Sequence, residues 1–272
     1  MAQKRLLALD LDGTLLRSDL TVSPANHAAV ARCLREGVYV ALCSGRTAGS
    51  VERYARLWQG PGLWIISCNG AEIRPAGAPE PLLRRTVPLH LARSVARWAA
   101  REGIYLKAYV DGVLLVEKAT EETLAFSRTQ GVPYVETGDL VGTLTGEPTK
   151  LVIIADPVLI AQLEPAVRAQ WPGELEVTTS GPDSLELTAR GVTKGRALQL
   201  LAEHLHVDRT AVAAVGNAHN DLSMIHWAGF GGVVRNAPPD VQQAAPVVVG
   251  HHDEDGVAEF ITAWLAGVRV ME

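Results

Sequence analysis

Leu6-Leu7-Ala8-Leu9-Asp10-Leu11-Asp12-Gly13-Thr14-Leu15 is an apolar run that ends in two carboxylates spaced i, i+2. Such a run reads as a strand buried on both faces, the kind found in parallel sheets covered by helices. Side chains two apart in extended backbone point the same way, so Asp10 and Asp12 can face one site. Gly13 and Thr14 then permit a tight turn. Two acids at the end of a buried strand repel each other and resist desolvation, and a cation between them, or chemistry by one of them, offsets that. The stretch points to a metal-assisted reaction at Asp10. Taken alone it reads equally well as an acid pair capping the next helix.

Outward from this stretch, apolar runs at Leu6–Leu9, Val38–Cys43 and Leu63–Ser67 predict buried strands. A helix over Pro24–Gly37 separates the first two, with proline near its first turn and glycine as its stop. Another helix follows Thr47. This β-α-β-α-β rhythm predicts α/β architecture, a doubly wound parallel sheet. The middle of the chain changes character after a Pro/Gly/Ala-rich linker, Pro75 to Pro81. Ile104–Val110 and Val113–Glu117 flank Asp111-Gly112, a strong hairpin signal. A second hairpin pairs Leu175–Thr179 with Ser184–Thr188, and helices are interspersed at Pro88–Glu102, Thr120–Gln130 and Asp156–Trp171. Antiparallel pairs mixed with helices predict an inserted α+β cap domain over 82–183. The α/β rhythm then returns, so that 1–81 and 184–272 form the core.

The 272 residues suffice for a real core, and 47% hydrophobic with 20% charged residues describes an ordinary globular chain. A net charge of −5 without a long basic run argues against electrostatic capture of nucleic acid or an acidic membrane. Cys33, Cys43 and Cys68 form no CxxC pair and read as reduced core thiols of a cytoplasmic protein. No signal peptide or bilayer-spanning run is present. Six tryptophans are scattered without a stacking period and read as packing. A P-loop is absent.

In open α/β sheets ligands bind beyond the carboxyl ends of the strands. Four predicted strands end in polar residues: Asp10 and Asp12, Ser44-Gly45-Arg46-Thr47, Asn69-Gly70, and Gly216-Asn217 followed by Asn220-Asp221. Ser44 and the amides around Gly45 suit a phosphate-like anion, and Ser44 reads nearly as well as a helix N-cap. Lys194 opens a helix, where the dipole disfavours a cation, so it has either an anionic partner or a place in solvent. Asp221 could complete an oxygen-rich Mg²⁺ site with Asp10 and the backbone carbonyl of Asp12, or simply favour a helix start.

Taken in order, these residues resemble the haloacid dehalogenase superfamily of phosphohydrolases, in its Cof-like branch with a large α/β cap. Asp10-Leu11-Asp12-Gly13-Thr14 matches the first motif in full. Leu42-Cys43-Ser44-Gly45-Arg46 resembles the second, Thr193-Lys194-Gly195 the third, and Gly216-Asn217-Ala218-His219-Asn220-Asp221 the fourth. Asn69-Gly70-Ala71, Asn236–Val241 and Asp253–Ala258 also look like this branch. The cap carries no comparable signature. The resemblance implies a phosphatase of a small phosphorylated metabolite, such as a sugar phosphate. In it Asp10 is the nucleophile that forms an aspartyl-phosphate, and Asp12 is the general acid and base. It also implies phosphate contacts at Ser44, Gly45 and Lys194, Mg²⁺ held by Asp10, Asp12, Asn217 and Asp221, and further site residues at Asn69, Gly70 and Asn220.

One departure stands out. The fourth motif of this family normally begins Gly-Asp, and here the second position is Asn217. An amide oxygen can coordinate Mg²⁺ but lacks the charge. This leaves a non-catalytic binder of a phosphorylated ligand as the alternative, alongside a phosphotransferase or phosphomutase. His219 inside the motif reads as a residue that supports the site from behind or lies on the surface, the run His251-His252-Asp253-Glu254 as solvated in a polar turn, and Asp255 as shaping the site from the closing loop. Arg46 and Arg196 read as exposed helix arginines. Lys107, Tyr109 and Arg85 read as surface residues of the cap that could touch substrate.

Overall fold

A computed structural model describes residues 3–267. The chain opens with β1 (Leu6–Asp10), α1 (Pro24–Arg35), β2 (Tyr39–Cys43), α2 (Ala48–Ala55), β3 (Leu63–Ser67), β4 (Glu72–Pro75) and β5 (Leu83–Arg84). The start of α1 is encoded locally: Ser23 caps it by accepting the Asn26 N–H at 3.1 Å, and Pro24 takes the first helical position. Gly37, at φ +75°, ends the connection into β2.

The middle segment runs α3 (Leu89–Glu102), β6 (Tyr105–Val110), β7 (Val113–Val116), α4 (Glu121–Gln130), β8 (Tyr134–Glu136), α5 (Leu140–Thr143), β9 (Lys150–Ile154), α6 (Pro157–Gln170), β10 (Leu175–Gly181) and β11 (Ser184–Ala189). Asp111 and Gly112 both take positive φ, +48° and +80°, as a two-residue hairpin turn between β6 and β7 requires. The chain closes with α7 (Lys194–Leu205), β12 (Val212–Gly216), α8 (Leu222–Trp227), β13 (Phe230–Val234), α9 (Pro239–Ala244), β14 (Val248–Val249) and α10 (Gly256–Leu265).

Among the described residues two sheets form. The core sheet has the order β14-β13-β12-β1-β2-β3-β4-β5. Its strands are parallel from β14 to β3, as the alternating rhythm predicted. Leu7 and Leu9 pack into one apolar cluster and Leu6 and Ala8 into the other, which explains why the run is apolar without alternation. β1 lies between β2, which follows it, and β12, which comes from the far end of the chain. Its carboxyl end is therefore the switch point where an open sheet leaves a crevice.

The sheet is not wholly parallel. β4 and β5 add to its edge antiparallel, so the Pro75–Pro81 stretch is the connection of a core hairpin and not a linker between domains. Sheet membership also moves both predicted boundaries of the insert. Residues 83–84 pair in the core sheet, while 184–189 pair with β9 and β10 in the second sheet. Two short strands with mixed polarity, and a hairpin whose second half starts at the predicted boundary, carry no local mark of which sheet they join.

The second sheet has the order β10-β11-β9-β6-β7-β8. One face packs on α3 and α6, through Leu106, Ala108, Leu151, Ile153, Leu185 and Leu187. The alternate residues Lys107, Tyr109, Lys150, Val152 and Glu186 lie on the opposite face, over the carboxyl end of β1. No helix among the described residues is long and apolar enough to cross a membrane. All three cysteines are buried and free, and burial pushes the Cys33 thiol up to about 11 and the Cys43 thiol up to about 12.

Candidate active site

A cavity of about 360 Å³ lies between the two sheets. Asp10, Asp12, Ser44, Gly45, Lys194, Asn217 and Asn220 all line it. Seven candidate residues, six from three strand endings and Lys194 from a helix start, are thus brought to one place. Asp221, Asn69 and Gly70 do not line it.

Asp10 ends β1 and is 4% exposed. Its Oδ2 accepts a hydrogen bond from Thr14 Oγ1 at 2.7 Å, and its Oδ1 accepts one from Lys194 Nζ at 2.7 Å. Burial, reinforced by the nearby Asp221 carboxylate, pushes the Asp10 carboxyl up to about 7 against the pull of Lys194. Beyond Asp10 the chain makes one wide turn, closed by the Leu16 N–H donating to the Leu11 carbonyl at 2.9 Å. Gly13 sits in that turn at φ +72°, with the Asn217 side chain where a Cβ would point. The turn, and not a helix cap, sends the exposed Asp12 side chain into the same cavity as Asp10.

Lys194 is the first residue of α7, whose cap is Thr193. It is 2% exposed and its ammonium bridges Asp10 and Asp221, 2.6 Å from Asp221 Oδ1. Burial alone would lower it, but the two carboxylates outweigh burial and hold it above the usual lysine range. The solvated alternative is therefore corrected: the partner of Lys194 is a carboxylate pair. Asp221, expected among the metal ligands, has both oxygens engaged. Oδ1 takes Lys194, and Oδ2 accepts the backbone N–H groups of Asn217 and Ala218 at 2.9 and 3.0 Å. It fixes the lysine and the 217 loop from behind.

Ser44 follows β2 and is 1% exposed. Its Oγ accepts the Arg46 N–H at 3.1 Å, which leaves the hydroxyl proton to donate. Thr47, not Ser44, holds the N-cap position of α2. Arg46, read as an exposed arginine, is a cavity residue that grips Asp12, with Nε 2.7 Å from Oδ2 and Nη2 on Oδ1. Its Nη1 donates to Gln130 Oε1 at 2.5 Å, and its guanidinium lies over the Tyr54 ring.

The cavity roof holds Lys107 and Tyr109, expected at the surface but buried, together with Lys150 and Glu186, which the sequence did not single out. Lys150 donates to the Gly45 carbonyl at 2.8 Å and to Glu186 Oε2 at 3.0 Å, over the Tyr109 ring. Lys107 is 2% exposed and pairs with Glu122 at 3.1 Å, above the Phe126 ring. Asn69 Nδ2 donates to Glu186 at 2.9 Å, and Asn69 Oδ1 accepts from Asn220 at 3.0 Å, so this asparagine ties the sheets together instead of lining the cavity. Gly70, at φ +104°, lets this turn press against the Thr193 carbonyl. A signal existed in the sequence: Lys107 and Lys150 stand at inward positions of otherwise apolar strands.

The outlying candidates stay outside the cavity. His219 pairs with Asp240 on the surface at 2.6 Å. His252 Nδ1 donates to the Leu16 carbonyl, Asp253 accepts from Ser18, and Asp255 pairs with Arg17, so that loop braces the segment after the Asp12 turn. Arg85 and Arg196 are exposed.

One edge of the site is suited to a hard cation. The Asn217 amide lies 3.2 Å from Asp10 Oδ2 and 3.1 Å from the Asp12 carbonyl, so with its oxygen inward three oxygens face one another without a proton between them. Oxygens bound to Mg²⁺ at octahedral angles stand about 3.0 Å apart. The donor set fits the ion.

Residues 7–261 match the family described as haloacid dehalogenase-like hydrolases. An HMP-PP phosphatase of Yersinia pseudotuberculosis is 29% identical over 266 residues, covering 96% of each chain. Phosphatase YwpJ of Bacillus subtilis is 28% identical, covering 94% of this chain and 98% of that protein. The crystal structure of a haloacid dehalogenase-like hydrolase from Bacteroides thetaiotaomicron superposes with a TM-score of 0.86 at 29% identity, over 96% of this chain and all of that one.

Proposed function

The chain belongs to the haloacid dehalogenase-like hydrolases, and from that premise we propose that it is a phosphatase of small phosphorylated metabolites, working through an aspartyl-phosphate on Asp10. The observation that carries this reading is the meeting of Asp10, Asp12, Ser44 and Lys194, from three separate segments, in one cavity. The two named relatives are phosphatases, which supports the same chemistry.

The division of labour follows from the two aspartates' surroundings. Asp10 is buried and held by Thr14 and Lys194 in a fixed direction, as a nucleophile requires. Its carboxylate attacks phosphorus, and the bond to the leaving oxygen breaks. Asp12 is exposed to the cavity, anchored by Arg46. It delivers a proton to the leaving oxygen and later takes one from the water that hydrolyses the intermediate. Lys194 places positive charge beside the reacting group, and Ser44 donates its hydroxyl to a phosphoryl oxygen. Asp10, the Asp12 carbonyl and Asn217 would hold Mg²⁺, which when bound offsets negative charge and polarises the phosphoryl group. The cap excludes water and meets the leaving group through Lys107 and Tyr109 of its sheet and Phe126 of α4. The buried thiols support a reducing, cytoplasmic setting.

Asn217 favours one second reading, a sensor that binds a phosphorylated ligand without turnover. A panel of phosphate esters with Mg²⁺ separates the two. The proposal expects phosphate release without an added acceptor, none from Asp10→Asn, and reduction of the trapped acyl phosphate by borohydride at Asp10. Ligand binding by calorimetry with no turnover of any ester would overturn it in favour of the sensor.

A further inference from the structure

We propose that the Asn217 side chain serves the metal site in two orientations, its oxygen turned to the bound cation and its NH2 turned to the same oxygens when the cation leaves. The inference rests on the Mg²⁺ reading above. Its basis is one position in space. The amide atom that faces the site stands 3.2 Å from Asp10 Oδ2, 3.2 Å from Thr14 Oγ1 and 3.1 Å from the Asp12 carbonyl. With oxygen there, two acceptors confront a third, which is tolerable only around a cation. With the amide rotated through 180°, nitrogen there lies within hydrogen-bonding distance of all three and has two protons to share among them. The other end of the amide rests against Gly13, where a Cβ would come within 2.5 Å of Nδ2, so the glycine leaves room for either end.

A carboxylate at 217 has no such second state. When both are ionised, Asp10 and Asp221 set two negative charges against the one positive charge of Lys194. A third carboxylate 3.2 Å from Asp10 Oδ2 would raise the imbalance to two and present oxygen whichever way it turned. Such a centre depends on a divalent cation. With asparagine it closes on itself. The consequence is a site that binds Mg²⁺ more weakly and more reversibly than its aspartate version, and that stays well ordered without the ion.

The test compares the wild-type chain with Asn217→Asp after stripping with EDTA. Calorimetric titration with Mg²⁺ should show the variant binding roughly tenfold tighter or more. Without Mg²⁺ the variant should melt lower, by roughly 3 °C or more, and should gain more on adding the ion. In the wild type, the side-chain ¹⁵N–¹H2 signal that disappears in Asn217→Ala should shift on Mg²⁺ titration. Equal affinities and equal melting points in the two proteins would overturn the two-orientation proposal alone. Absence of Mg²⁺ binding in both would overturn the metal reading beneath it. If Asn217→Asp does not fold, an Asn217 amide signal indifferent to saturating Mg²⁺ decides against the proposal.

Discussion

Arg46 holds the Asp12 carboxylate with two nitrogens, Nε lying 2.7 Å from Oδ2, while its third nitrogen reaches Gln130 at the end of α4. A core arginine thus connects the exposed aspartate of the cavity to the cap. Ser50 also donates to Gln130 at 2.8 Å, and Arg53 donates to the Thr129 carbonyl at 2.7 Å. Docking of α4 against α2 and the aim of Asp12 are therefore one arrangement. Arg46→Ala frees Asp12 from its geometry, and kcat should fall roughly 10- to 100-fold. Gln130→Ala keeps the Arg46–Asp12 contact but removes its tether to the cap, and should cost less, with the loss again in kcat. Steady-state kinetics on any accepted phosphate ester checks this. Unchanged kcat in Arg46→Ala would reduce the contact to surface pairing.

Lys194 is the only cation within hydrogen-bonding distance of Asp10 and Asp221 among the described residues. Lys194→Met would leave two buried carboxylates facing each other without it. Removing one partner of a buried ion pair costs about 3–5 kcal/mol. The thermal midpoint should drop by roughly 10 °C and activity should vanish with it. Restored stability in Lys194→Met/Asp221→Asn, with activity still absent, would separate the structural role of the lysine from its role toward phosphate.

The core was legible because its signals are local. Leu6–Leu9 is apolar on both faces, Pro24 and Gly37 bracket a helix, and each polar strand ending stands next to its strand in sequence. Three of those endings meet at one cavity, which Lys194 reaches from a helix start. What escaped depends on pairing between distant segments. Lys107, Lys150 and Glu186 come from three strands that become neighbours only in the order β11-β9-β6, and a lysine in a strand is ordinarily at the surface. Arg46 looked like any first-turn arginine until the Asp12 turn placed a carboxylate against it. β5 escaped because a two-residue strand has no periodicity to read, and β4, at four residues of mixed polarity, has hardly more.

The roof makes a prediction for alkaline pH. Burial pushes the Tyr109 phenol up to about 12 from its ordinary value of 10. Between these values the unfolded chain loses this proton while the folded chain keeps it. The resulting stability is fully present below pH 10 and is lost as pH rises through about 12, at most about 3 kcal/mol. Urea unfolding from pH 9 to 12 should show the wild type losing stability more steeply than Tyr109→Phe, which has no proton to lose. Parallel curves for the two would mean that the hydroxyl ionises as readily folded as unfolded.

The Lys150–Glu186 pair makes a prediction about the join between the sheets. Lys150 reaches across to the Gly45 carbonyl of the core, and Glu186 receives Asn69 from the core, so each partner is anchored on both sides. Burial alone would lower the Lys150 ammonium, but the Glu186 carboxylate outweighs it and holds lysine above its usual range. Lys150→Met takes the ammonium away from a buried carboxylate and should cost about 3 kcal/mol. Adding Glu186→Gln removes the charge so exposed to apolar surroundings while keeping an acceptor for Asn69. The double variant should therefore recover part of the loss, giving a coupling of about 1–3 kcal/mol in a denaturation cycle. Additive losses would show that the two side chains act independently, and that the cap is held to the core chiefly by the Arg46, Ser50 and Arg53 contacts to α4.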